Sequence, residues 1–193
     1  MSRFAQWVRE HIGGTSTERD TAAEPGHAPT GTRDRASAAQ GDVLASRAGR
    51  LVDAAATRAT ESYAHLAGLH PSLGAVARDR WEVCATAAAA CMGLQMMVRR
   101  PDILEWFEPL QGLVHGALAA RHPEAPALFD QCRLFLARVA STHSTFTGQN
   151  VVGDRIGLWL LTTVFTRPPT VHEQGLARTL GRAVDLPLKV WWE

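Results

Sequence analysis

The first residues with chemical potential in this sequence are its sulfur groups. Cys84 and Cys91 stand seven residues apart, so a helix puts them on one face, and Met92, Met96 and Met97 follow closely. Thiolates and thioethers are soft donors of the kind that hold Cu(I). The same side chains also serve as small, adaptable core fillers. They lie inside Val83–Val98, 16 residues without a charge. A reactive thiol wants an electropositive, partly exposed setting, so core packing is the expectation. The sequence contains no phosphate-binding glycine loop, no dinucleotide fingerprint, no paired metal-ligand cysteines, no His-Glu-x-x-His and no Gly-x-Ser-x-Gly elbow. No catalytic residue and no metal ligand is assigned.

Arginine and histidine recur at a second spacing, in Arg58/His65, Arg138/His143 and Arg167/His172. The pattern resembles the Arg-x(4–6)-His motif of HEPN-type ribonucleases, themselves small all-helical proteins, and the resemblance implies RNA cleavage. Three instances are about what chance yields from 19 Arg and 8 His in 193 residues. Arg138 and His143 would also stand about 140° apart around a helix. A HEPN-type ribonuclease is therefore the weaker of two alternatives.

The other alternative centres on His143, which follows Val139 on an apolar stripe. A neutral imidazole in an apolar cleft can ligate haem iron. The segment Arg100-Pro-Asp-Ile-Leu-Glu-Trp-Phe107 resembles the globin turn in which a proline precedes the haem-packing phenylalanine by six residues. The resemblance spans about 45 residues. It implies haem as cofactor, with Phe107 packing on it, His143 matching the proximal ligand in the spacing of the shortened globins, and His115 at the distal position. The chain departs from that pattern in lacking a Gly-Gly between Phe107 and His143. His115 also shares a face with Glu108 and Gln111.

Helices must position all of these residues. Leu44, Ala48, Leu51, Ala55, Ala59, Tyr63 and Leu66 fall at steps of three or four, with Arg47, Arg50, Asp53 and Arg58 off that face. Gly68 and Pro71 break the chain, and a second helix over about 73–98 is apolar nearly all round after Val83, as a central helix would be. Residues 102–121 carry the stripe Ile103, Phe107, Leu110, Val114 and Leu118, with Pro109 at a kink or junction, and His122-Pro123 closes it. Leu128, Cys132, Phe135, Leu136, Val139, His143 and Phe146 make the next stripe. Residues 151–166 favour a strand by propensity and a helix by period; with no strand to pair with, a helix is expected. Thr170 and Glu173 form a capping box for a last helix reaching about Asp185, and Val190-Trp191-Trp192 could seal the bundle.

Ahead of this domain the composition changes. Phe4, Trp7, Val8 and Ile12 lie on one face of a short helix over residues 1–12. Residues 13–42 contain nothing apolar larger than alanine, with five Gly and two Pro, and read as a flexible linker whose residues from Ser37 onward could join the next helix. The expected fold is all-α: a bundle of five or six helices over 43–193, with a short N-terminal helix on a tether.

The net charge is +1, made of −1 over residues 1–42 and +2 over 43–193, so neither part has the basic surplus that nucleic acid would want. Three cysteines are too few for a disulfide scaffold. No apolar run reaches the ~20 residues of a spanning helix, and no secretory signal is visible. The expected location is the cytoplasm, with non-classical export left open. The leading functional expectation is a non-enzymatic protein–protein interaction or regulatory module with no cofactor. Its partner-binding residues are Phe4, Trp7, Val8 and Ile12, since a lone amphipathic helix on a tether suits helix-in-groove recognition. The partner is an unidentified protein or a second copy of the chain.

Overall fold

The computed structural model describes residues 30–142, 151–165, 167–168 and 170–193. Phe4, Trp7, Val8, Ile12, most of the linker stretch, His143 and Phe146 lie outside the described residues, as do the side chains of Val139 and His172. The chain divides into two compact units, Met1–Ala38 and Ala39–Glu193.

The described residues are all-α, in agreement with the periodicity. Helix α1 (Thr30–Leu69) is followed by one turn, α2 (Pro71–Gly74), and by α3 (Arg78–Met97). A 3-10 turn (Leu104–Trp106) leads into α4 (Phe107–Arg121), then α5 (Ala125–Thr142) and α6 (Val151–Phe165). The chain ends with the turn α7 (Val171–Gln174), α8 (Leu176–Ala183) and a 3-10 turn (Leu188–Val190).

Helix α1 starts at Thr30, so residues 30–42 are helical and the expected linker is shorter than its composition suggested. A helix already held further along needs no new core to extend. Each added residue contributes a backbone bond, and Ala36, Ala38 and Ala39 favour it. From Leu44 on, the expected stripe is buried, apart from the half-buried Tyr63.

Helix α3 runs through the middle. Cys84 to Leu94 are buried without a break, and α4, α5, α6 and the C-terminal 3-10 turn all pack on it. Trp81 at its start is 1% exposed and donates its indole N–H to the Ala59 carbonyl of α1 at 2.9 Å. Near its end, a Cβ on Gly93 would sit 2.5 Å from Leu51 Cδ1 and 3.3 Å from Trp191 Nε1. The missing side chain is the space that α1 and the C-terminal segment fill. Trp191 is buried, as expected of a sealing residue, and Trp192 stacks edge-on against it. The Arg47 guanidinium covers Trp192 at 3.9 Å, and Arg50 donates to the Trp192 and Glu193 carbonyls.

The expected kink at Pro109 is instead an early helical position: α4 begins at Phe107, and the first turn needs no N–H from Pro109. The stretch 151–165 is helical. Ile156, Trp159, Leu160, Leu161 and Val164 are buried, and the Thr162 and Thr163 hydroxyls donate back to carbonyls three or four residues earlier. The last expected helix is two pieces, because Gly175, a weak helix former, separates α7 from α8. The capping box is present. Glu173 N–H donates to Thr170 Oγ1, and the Glu173 carboxylate accepts from Thr170 N–H. Arg167 clamps that carboxylate with two bonds of 2.6 and 2.7 Å.

Helices α6 and α8 cross on glycine and alanine. A Cβ on Gly157 would overlap the Ala177 carbonyl and the Gly181 nitrogen, and one on Gly181 would overlap the Gly153 carbonyl. By contrast, nothing lies within 4 Å of a Cβ added at Gly116.

The same substitution is therefore expected to have opposite signs at two sites. Gly157→Ala forces two backbones apart and costs more than about 2 kcal/mol. Gly116→Ala, in an exposed helix interior, stabilises by up to about 1 kcal/mol. Urea denaturation of the two variants checks both. A second prediction concerns acid. The Arg167 guanidinium first, and then the Thr170 N–H, hold the Glu173 carboxyl down at about 2. A depressed carboxyl adds stability above its unfolded value of about 4.3, and that stability is lost as pH falls towards 2. Thermal melts of wild type and Glu173→Gln across this range are expected to differ near neutrality and to converge at the acid end.

Candidate functional site

Of the residues grouped by the globin resemblance, the two that are described, Phe107 and His115, do not share a face of α4. The inward line of α4 is Phe107, Leu110, Val114 and Leu118. His115, one residue past Val114, is turned about 100° away from it. It is exposed, with Nε2 3.3 Å from the Asp130 carboxylate of α5. Phe107 is buried in the core, and His143 lies outside the described residues. Of the arginine–histidine pairs, Arg58 and His65 are both exposed on α1, Arg167 is committed to Glu173, and Arg138/His143 ends beyond the described helix.

The sulfur residues sit where the apolar run implied. Cys84, Cys91, Met92 and Met97 are buried in α3. What the spacing could not reveal is Cys132 of α5, whose thiol lies against that of Cys91. Burial pushes the Cys84 thiol up to about 11 and raises that of Cys132 strongly. Thiols raised in this way stay protonated near neutral pH, which makes them poor nucleophiles. Among the described residues no three His, Cys, Asp or Glu side chains are grouped to hold a metal ion. No described helix is long and apolar enough to cross a membrane.

A cleft of about 160 Å³ lies where α1, α3 and the α4–α5 corner meet. Val83 and Leu118 give it apolar lining, and five polar side chains also line it: Thr60, Glu82, Thr86, Arg121 and His122. Local sequence places each. Glu82 and Thr86 are one turn apart on α3. His122 precedes Pro123, which forces it out of the helix (φ −152°, ψ 127°) at the end of α4. In that extended conformation its Nδ1 accepts the Glu124 N–H at 3.2 Å, which leaves the ring proton of the neutral form on Nε2. Glu82 is bonded to Arg78 at 2.8 Å, and Arg121 reaches Asp53 of α1 at 3.0 Å. Thr86 is the buried polar residue of the described set, at 6% exposure, and its hydroxyl has no hydrogen-bond partner among the described residues.

Sequence reasoning passed over this cleft. Its one signal was a hydroxyl inside the otherwise alanine-rich run of α3. No family model matches the chain, nor does any curated protein or solved structure.

The burial of all three cysteines gives a direct expectation. Ellman's reagent labels none of them in the folded protein within minutes, and all three in denaturant. Rapid labelling of the native state would put a thiol at the surface and reopen soft-metal chemistry there.

Proposed function

We propose that the protein is a non-enzymatic interaction module, in which the Ala39–Glu193 bundle is the scaffold and the segment bearing Phe4, Trp7, Val8 and Ile12 engages a protein partner. The observation that carries this reading is the division of the chain: the bundle is a compact unit that begins at Ala39. Its own stripes and the C-terminal tryptophan supply its core. The four apolar residues near the N-terminus, on one helical face by their spacing, are the segment we assign to the partner. An amphipathic helix of that length gains little stability alone and most of it from a groove.

Deletion of residues 1–14, or the double substitution Phe4→Ala/Trp7→Ala, is expected to abolish retention of the partner in co-purification and crosslinking. The melting temperature should move by less than about 2 °C, since every core residue of the Ala39–Glu193 unit stays in place. A fall of more than about 5 °C would make the segment part of the bundle's own packing and remove this reading.

A further inference from the structure

The cleft at the α4–α5 corner carries an inference of its own, independent of the N-terminal segment. Thr86 is more than nine-tenths buried, faces the cleft and has no protein partner for its hydroxyl. The oxygen itself is not shut away from solvent: it opens onto the cleft and makes no bond among the described residues. Its hydrogen-bonding capacity is therefore available to a group that enters the cleft. Around it stand both kinds of hydrogen-bonding chemistry: acceptors on Glu82, donors on Arg121 and on Nε2 of His122, and the hydroxyl of Thr60.

The charges decide what kind of group that is. Glu82 is balanced by Arg78 and Arg121 by Asp53, while Arg80 and Glu124 pair close by at 3.8 Å. A net anion or a net cation would leave the cleft with an uncompensated charge. A dipolar ligand takes one hydrogen-bond partner at each end and leaves the balance intact. The existing pairs are exposed, so they hold their partners weakly and can share them. An enclosed cavity of about 150 Å³ takes benzene, so the recess of about 160 Å³ can seat six or seven non-hydrogen atoms, with its mouth open to solvent.

We propose that this cleft binds a small zwitterionic metabolite of amino-acid type, with the part it seats about the size of alanine or serine. Its carboxylate lies toward Arg121 and His122, its ammonium toward Glu82, and the Thr86 hydroxyl completes the bond at the floor. The full-length protein, labelled with nitrogen-15, is titrated with L-serine and then separately with propionate, ethylamine and inorganic phosphate. L-serine is expected to shift the Thr86 and His122 amides saturably, with half-saturation in the millimolar range. Propionate and ethylamine, each lacking one end, should bind at least about tenfold more weakly. Thr86→Val should weaken L-serine about tenfold without lowering the melting temperature, and His122→Gln should weaken it while the fold persists. Three results would overturn the proposal: no saturable shift at about 100 mM L-serine, phosphate binding tighter than L-serine, or Thr86→Val binding as wild type does.

Discussion

The bundle depends on a helix that carries almost no side chain through its middle. Between Cys84 and Met92, α3 presents Ala85, Thr86, Ala87, Ala88, Ala89, Ala90 and Cys91, all buried. Large residues hold neighbouring helix axes about 8–10 Å apart and usually leave one face to solvent. With alanine and cysteine in those places, α3 can be approached from every side, and α1, α4, α5, α6 and the C-terminal turn do so. Gly93 takes this to its limit, since the position of its missing Cβ is already claimed by Leu51 and Trp191. The large side chains that give the core its volume (Trp81, Phe129, Leu51, Trp191) come from the surrounding elements or from the ends of α3.

The same device recurs at the α6–α8 crossing, where Gly153, Gly157, Ala177 and Gly181 let two backbones meet. It is absent on the outer side of α4, where Gly112 and Gly116 have open space. A glycine spacing of four is thus structural in one helix and unconstrained in another, and only the neighbour decides which. Charged residues do little of this work. The pairs that bridge helices, Arg121–Asp53, His115–Asp130 and Arg178–Asp154, are exposed and add little to stability. Directional fixing comes instead from a few bonds to backbone carbonyls. Trp81 ties α3 to α1, and Tyr63 donates its hydroxyl to Val76 across the α2 turn.

These features also separate what the sequence could express from what it could not. Periodicity is local, so the faces of α1, α4 and α5, the all-round burial of α3 and the Thr170–Glu173 cap were legible. The start of α1 at Thr30 was not, because composition argues about a segment in isolation whereas a helix extends from its neighbour. Gly175 divides the last helix for a reason that no stripe displays. The thiol contact between Cys91 and Cys132 joins residues far apart in the chain. The cleft is the extreme case: its polar residues come from α1, α3 and the end of α4, and each alone looks like ordinary surface or an ordinary helix stop. His122 could be read as a stop signal from Pro123; that the stop also orients an imidazole is a property of the assembled corner.

One residue links the packing constraint to the cleft. In a helix selected for smallness, alanine would serve at position 86 as it does at 85 and at 87–90. Threonine is larger, branched at Cβ and a poorer helix former. Three helical threonines of this fold, Thr57, Thr162 and Thr163, bond back along their helices. Thr86 makes no such bond among the described residues. Its hydroxyl is held at the base of a recess whose walls offer charge of both signs in balance. Helix propensity favours alanine there, and the internal packing of α3 gives no reason to keep the hydroxyl. What the hydroxyl does meet is the cleft side of the helix, onto which it opens.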